Sequence, residues 1–111
     1  MTTRTFQVAS YKVKLGRELG IGGTRHYGLI ACYGNDGSQL LIYFQRPDSA
    51  DLSNVFFTDR KLGRIVVPAA QFPWYVDLLR NETPVYGYMN SDHPEWNQLR
   101  TDKEPVGEEE S

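Results

Sequence analysis

The chain has 111 residues, 40% of them apolar, and a formal net charge of −2 at neutral pH. This length and composition fit one globular domain with a single core, and they argue against a disordered chain. No apolar segment approaches the length needed to span a bilayer, and the N-terminal residues lack the apolar stretch of a secretory signal. We therefore expect a cytoplasmic protein that does not contact a membrane.

Charge is divided unevenly along the sequence. Residues 1–46 carry six Lys and Arg against two acids, whereas residues 47–111 carry six against twelve. Residues 102–111 hold five of these acids and one Lys, with Val106 as the one sizeable apolar side chain. We expect residues 1–101 to form a single domain and residues 102–111 to be an acidic, disordered tail.

The first predicted strand has a basic face. Residues 7–17 alternate between an apolar face, which includes Tyr11, and a polar face that carries Lys12 and Lys14. A period of two residues is typical of a half-buried strand. The glycine-rich stretch at 20–23 then interrupts the pattern.

A β-hairpin follows this strand. Two apolar runs, residues 24–33 and 38–45, flank the loop at 34–37, whose Asn, Asp and Gly residues tolerate the positive φ that such a loop requires. Shorter strand-like runs occupy residues 55–58 and 64–67. The sequence therefore predicts an α+β fold with a curved, mostly antiparallel sheet of four to six strands.

The apolar period changes in residues 70–81, which predict one main helix packed on the sheet. Apolar side chains recur at i, i+3, i+4 and i+7, and a Pro lies in the first turn, where its missing N–H costs nothing. Trp74 and Leu78 widen the apolar part of the helix circumference beyond what one face of a sheet can cover. Either the following segment of the chain covers this helix or the same helix of a second copy does, with Trp74 and Leu78 as the interface.

Chemical motifs are scarce. The glycines at 20–23 precede a predicted strand, whereas a phosphate-binding loop precedes a helix. His26, His93 and Cys32 have no metal-ligand spacing, and Cys32 lies in an apolar run that favours burial. We expect no catalytic residue, no metal and no cofactor.

Bases and aromatic rings interleave in the first third of the chain. Cations neutralise phosphates and flat rings stack on bases, so this pattern is suited to single-stranded nucleic acid. A plain amphipathic strand, with solvated lysines and packed rings, has the same appearance. The leading hypothesis is a non-catalytic binding module for single-stranded nucleic acid, and the alternative is a homodimeric or partner-docking protein. The candidate nucleic-acid-binding residues are Lys12, Lys14, Arg17, Arg25, Tyr11 and Tyr27.

The order of predicted elements, antiparallel strands and then a helix, resembles the layout of the Whirly proteins, the Pur proteins and the single-stranded-DNA-binding transcriptional coactivators. The resemblance covers roughly residues 5–81. It implies that a curved sheet binds single strands and that helices help to pair two copies. The sequence motif of the Whirly proteins and the repeated half of the Pur proteins do not occur here, so the resemblance assigns no binding residue.

Overall fold

The computed structural model describes residues 1–21, 24–45 and 53–102, without the side chains of residues 17–21 and 24–27. The predicted acidic tail, except for its first residue, lies outside this part of the chain. The described residues form eight strands and one α-helix. In chain order these are β1 (Thr3–Gln7), β2 (Ser10–Ile21), β3 (Thr24–Tyr33), β4 (Gln39–Gln45), β5 (Val55–Phe57), β6 (Leu62–Pro68), α1 (Phe72–Asn81), β7 (Val85–Asn90) and β8 (Gln98–Thr101).

The strands belong to two sheets, which we call the large sheet and the small sheet. The large sheet has the order β2-β3-β4-β6-β5 and the small sheet the order β1-β7-β8. All neighbouring strands are antiparallel except β4 and β6, which are parallel because the short β5 reverses the chain between them. The predicted α+β class with a mostly antiparallel arrangement is confirmed, but the strands are divided between two sheets where one was expected.

The division begins inside the first predicted strand. The Val8 N–H donates to Val85 O of β7 at 2.8 Å, whereas the next N–H, that of Ala9, donates to Tyr33 O of β3 at 2.8 Å. The chain therefore leaves the small sheet and enters the large one between two adjacent residues. The alternation predicted over residues 7–17 belongs to β2, and β1 is a separate strand.

The hairpin and the helix lie where the sequence placed them. β3 and β4 pair in antiparallel register from Tyr33 opposite Gln39 to Gly28 opposite Phe44. The helix α1 spans Phe72–Asn81, with a Pro in its first turn, and a single 3₁₀ turn precedes it. No helix in the described part of the chain is long and apolar enough to cross a membrane.

One face of the large sheet, the inner face, carries the core. Its buried side chains come from the central strands, and Phe6 of β1 and Met89 of β7 join the same cluster from the small sheet. The two sheets approach closely at Gly63, where an added Cβ would lie 2.6 Å from Met89 Cγ. The side chains that the large sheet contributes to the core are Ile30, Cys32, Leu40, Ile42, Phe44, Phe56 and Ile65.

The helix α1 lies on the same inner face, beside the small sheet. Phe44, at 0% exposure, makes edge-to-face contacts with Phe72 at 4.9 Å and with Tyr75 at 5.5 Å between ring centroids. The helix packs over β4 and leaves the edge strand β2 largely open, so Leu15 of β2 is 67% exposed. The apolar face of β2 is therefore less buried than its alternating pattern predicts.

Buried asparagines join the small sheet to the large one. Asn97, just before β8, is 6% exposed, and its Oδ1 accepts a hydrogen bond from the Asn90 N–H of β7 at 2.9 Å. Its Nδ2 donates to Val55 O of β5 at 3.0 Å and to Arg64 O of β6 at 3.1 Å. The fully buried Asn90 in turn accepts bonds from the backbone N–H groups of residues 92 and 93. These bonds satisfy backbone groups at the place where the two sheets meet.

A second link holds the β3–β4 turn against β1. Arg4 donates from Nε to Ser38 Oγ at 2.6 Å and forms an ion pair with Asp36 at 3.0 Å. Asp36 also accepts a bond from the Ser38 N–H at 3.0 Å. The bonds from Ser38, followed by the Arg4 guanidinium, hold the pKa of Asp36 below its usual value.

Replacing Asn97 tests the joint between the sheets. Asn97→Ala leaves one buried N–H and two carbonyls without their side-chain partner, so we expect a loss of about 2 to 4 kcal/mol in the free energy of unfolding. Urea unfolding at neutral pH, followed by circular dichroism, measures it.

Asn81→Ala is the matched control, because Asn81 is exposed at the end of α1. It should change the free energy of unfolding by less than about 0.5 kcal/mol. Equal losses in the two variants would show that Asn97 does not stabilise the joint.

Candidate functional site

The second face of the large sheet, the outer face, is turned away from the core. Residues directly opposite one another on neighbouring strands have side chains on the same face. The strand register therefore places three rows of side chains across this face. These are Ser10-Tyr33-Gln39-Leu62-Phe57, Lys12-Ala31-Leu41-Arg64-Val55 and Lys14-Leu29-Tyr43-Val66.

Two of these rows begin with a lysine on β2, and one contains an arginine on β6. Lys12 and Lys14 are exposed on β2, with Cα atoms about 7 Å apart by strand geometry. Arg64 lies in the row of Lys12, three strands away, which is about 14 Å at the usual strand spacing. None of the three rows contains Asp or Glu. These three rows thus contribute positive charge alone.

Between the cations the outer face is aromatic and aliphatic. Tyr33 is half-buried, whereas Tyr43 is 6% exposed and has little surface to offer a ligand. At the far end, the Arg60 guanidinium lies 4.3 Å from the centre of the Phe57 ring and adds a further cation. Arg64 Nε donates to Ser53 O at 2.8 Å, which fixes one nitrogen of its guanidinium group. The accessible part of this face is therefore an apolar floor with basic groups on two sides, while Ala31 and Tyr43 at its centre are buried.

The predicted nucleic-acid-binding residues do not all gather on this face. Lys12 and Lys14 lie there together. Tyr11 is 37% exposed but belongs to the inner face, because it is paired with the buried Cys32. Tyr11 therefore does not stand beside the two lysines, and the ring that accompanies them is Tyr33.

The other three predicted residues have described backbones only. Arg17 lies in β2, and Arg25 and Tyr27 lie in β3. Their side chains fall outside the described residues, so their role remains a prediction.

The residues predicted as an interface lie on the solvent side of α1. Trp74 is 70% exposed and Leu78 is half-buried. Leu99 of β8 lies beside them in a shared hollow. The chain's own C-terminal segment thus covers Leu78 in part and leaves Trp74 open.

Two residues of the outer face, Tyr33 and Arg64, are not predicted from the sequence as site residues. Tyr33 ends the apolar run of β3, and Arg64 begins the run of β6, so each looks like an ordinary strand terminus. The face of Tyr33 follows from the register of β2 and β3, whereas that of Arg64 depends also on the parallel pairing of β4 with β6, between which β5 intervenes in the sequence. The alternation of Arg64 with the buried Ile65 is the one local signal.

The reactive side chains are separated or buried. Cys32 is fully buried in the core, and burial raises the pKa of its thiol from an ordinary 9.0 to about 12. His93 stacks on Trp96, with ring centres 4.0 Å apart, and pairs with Glu95 at 3.1 Å on an exposed loop. Among the described residues, no group of three or more His, Cys, Asp or Glu is arranged to hold a metal ion.

No protein family, curated protein or solved structure matches this chain.

The buried thiol gives a direct chemical test of the core. We expect Cys32 of the folded protein to resist a disulfide reagent at about pH 8, because the reactive thiolate is not formed at a pKa of about 12. The same reagent should label the urea-unfolded chain rapidly. Labelling is followed by absorbance, with Cys32→Ala as the blank, and rapid stoichiometric labelling of the folded protein would contradict the burial.

The raised pKa of Cys32 also makes the stability of the protein depend on pH. The thiol ionises near pH 9.0 in the unfolded chain and only near pH 12 in the folded protein. The contribution of Cys32 to the free energy of unfolding is therefore fully present below pH 9 and is lost as pH rises towards 12.

Proposed function

We propose that this protein is a non-catalytic binding module that holds single-stranded nucleic acid on the outer face of its large sheet. The observation that carries the proposal is the placement of Lys12, Lys14 and Arg64 on one face whose three rows lack acidic side chains. A polyanion gains from such a surface by releasing its bound counterions.

The apolar floor supports a single strand as the ligand. Tyr33 offers a ring for a base to stack on, and Leu41 and Leu29 continue the apolar surface in the two rows beyond it. A duplex keeps its bases stacked inside and presents phosphates and sugars, so it would leave these side chains uncovered. An unpaired strand brings phosphates to the lysines and bases to the floor at the same time. A ligand of this kind also agrees with the cytoplasmic location expected from the sequence.

The proposed roles are simple. Lys12 and Lys14 neutralise neighbouring phosphates at the β2 edge, and Arg64, with its fixed Nε, contacts a phosphate across the sheet. Tyr33 stacks on a base between them. None of these residues belongs to the buried core, so each can be replaced while the fold is retained.

Removing the two lysines should change the salt dependence of binding. A labelled single strand of roughly 10 nucleotides is titrated with the protein, and fluorescence anisotropy is read at several salt concentrations. For Lys12→Gln/Lys14→Gln we expect the slope of log affinity against log salt to fall by about 1.4, since each phosphate contact contributes about 0.7. The affinity at low salt should fall about tenfold.

Arg80→Gln is the matched control, because it removes one exposed charge from α1, which packs on the inner face. It should leave both the slope and the affinity close to those of the parent. Tyr33→Leu should weaken binding by about 1 to 3 kcal/mol while leaving the slope unchanged, because it removes stacking and no charge. The proposal fails if the parent does not bind at low salt, or if a duplex of the same length binds as tightly.

A further inference from the structure

The solvent side of α1 and the neighbouring strand β8 form an apolar surface that the proposed nucleic-acid site does not use. We call it the α1–β8 surface and define it by Trp74, Leu78 and Leu99. Trp74 is 70% exposed, although α1 already packs its other side on the inner face. A tryptophan left open to this extent is typical of an anchor residue in a protein interface.

Two adjoining hollows lie on this surface and share Trp74 and Leu78. The first has a volume of about 280 Å³ and reaches Tyr75 and Leu99, with one Gln on each side. The second has a volume of about 340 Å³ and continues towards the end of α1. An apolar side chain that entered the first hollow would cover the open face of Trp74, which favours binding through the area removed from water.

The charges that border the hollows have one sign. Asp77 and Glu82 line the second hollow, and no Lys or Arg lines either hollow in the described part of the chain. Arg80 lines a separate hollow with Tyr11, and Glu82 borders both that hollow and the second one. The surface is therefore apolar at its centre and acidic at one end, the opposite of the outer face.

This charge decides between the possible occupants. In a two-fold dimer centred on Trp74, the acidic end of one copy would meet the opposite end of the other, where Gln71 and Gln98 offer no cation. A different partner can bring cations to Asp77 and Glu82, and these would be attracted. The same carboxylates would repel a single-stranded nucleic acid. Charge complementarity thus favours a basic polypeptide.

We propose that the α1–β8 surface docks a basic amphipathic segment of a protein partner. An apolar anchor of that segment fills the hollow beside Trp74, Leu78 and Leu99. Its flanking Lys or Arg side chains lie against Asp77 and Glu82. This contact is independent of the nucleic-acid site, because it uses the opposite side of the large sheet.

A pair of synthetic peptides tests the proposal. The probe is an amphipathic helix with Leu anchors and flanking Lys residues, and its counterpart carries Glu in place of every Lys. In a Trp96→Phe background Trp74 is the remaining tryptophan, so its emission reports directly on the surface. We expect the Lys peptide to shift this emission to shorter wavelength as the indole is covered, and the Glu peptide to bind at least fivefold more weakly.

Variants locate the contact. Asp77→Asn/Glu82→Gln should weaken the Lys peptide roughly fivefold, since two exposed ion pairs are lost. Trp74→Ala should weaken it by at least about thirtyfold, measured by anisotropy of the labelled peptide. Trp96→Ala is the matched control, because Trp96 is also exposed, at 50%, but lies in a 3₁₀ turn before β8 and lines neither hollow. It should bind the peptide as the parent does, and circular dichroism should show that all variants are folded.

Three results would overturn the proposal. The first is equal binding of the Lys and Glu peptides, or no binding of either. The second is an equal effect of Trp74→Ala and Trp96→Ala. The third is a parent dimer, seen by light scattering, that Trp74→Ala converts into monomers, because the occupant of the surface would then be a second copy.

Discussion

The joint made by Asn97 is the constraint on which the arrangement of this protein depends. One buried amide group binds the backbone of β7 in the small sheet and the backbones of β5 and β6 in the large sheet. An amide suits this place because it offers an acceptor and two donors at once, and the three backbone groups around it need both kinds. The joint fixes which part of the inner face the small sheet occupies.

The rest of the inner face is divided as a result. The small sheet covers the region around Gly63, and α1 covers the region around Phe44. The small sheet and the helix therefore pack side by side on the inner face of the large sheet. Little of the described chain remains to cover β2, which accounts for its exposed Leu15. The layout also separates the two proposed binding surfaces. The basic outer face and the acidic end of the α1–β8 surface lie on opposite sides of the large sheet, so two ligands of opposite charge need not compete.

Local patterns were sufficient for some elements and insufficient for others. The hairpin around Asp36 and the helix that contains Phe72 follow from turn chemistry and from apolar spacing, which act over a few residues. The break between β1 and β2 has no such signal, because Val8 and Ala9 are ordinary strand residues and the change of partner strand is decided by distant backbone groups. The candidate site shows the same limit. Alternation separates Lys12 from Tyr11, but the addition of Arg64 to the site depends on a register spanning four strands.

The exposed strand β2 bears on how copies of this protein behave at high concentration. It lies at the edge of the large sheet, and a long open edge is a template on which another strand can add. If two copies paired their β2 strands antiparallel about Val13, Lys12 of each copy would stand opposite Lys14 of the other. Like charges directly opposite one another destabilise a sheet. The lysines that we assign to phosphate binding would therefore also oppose the pairing of two β2 edges. A ligand that neutralised them would remove this protection, and aggregation of the protein would then depend on how much ligand is bound.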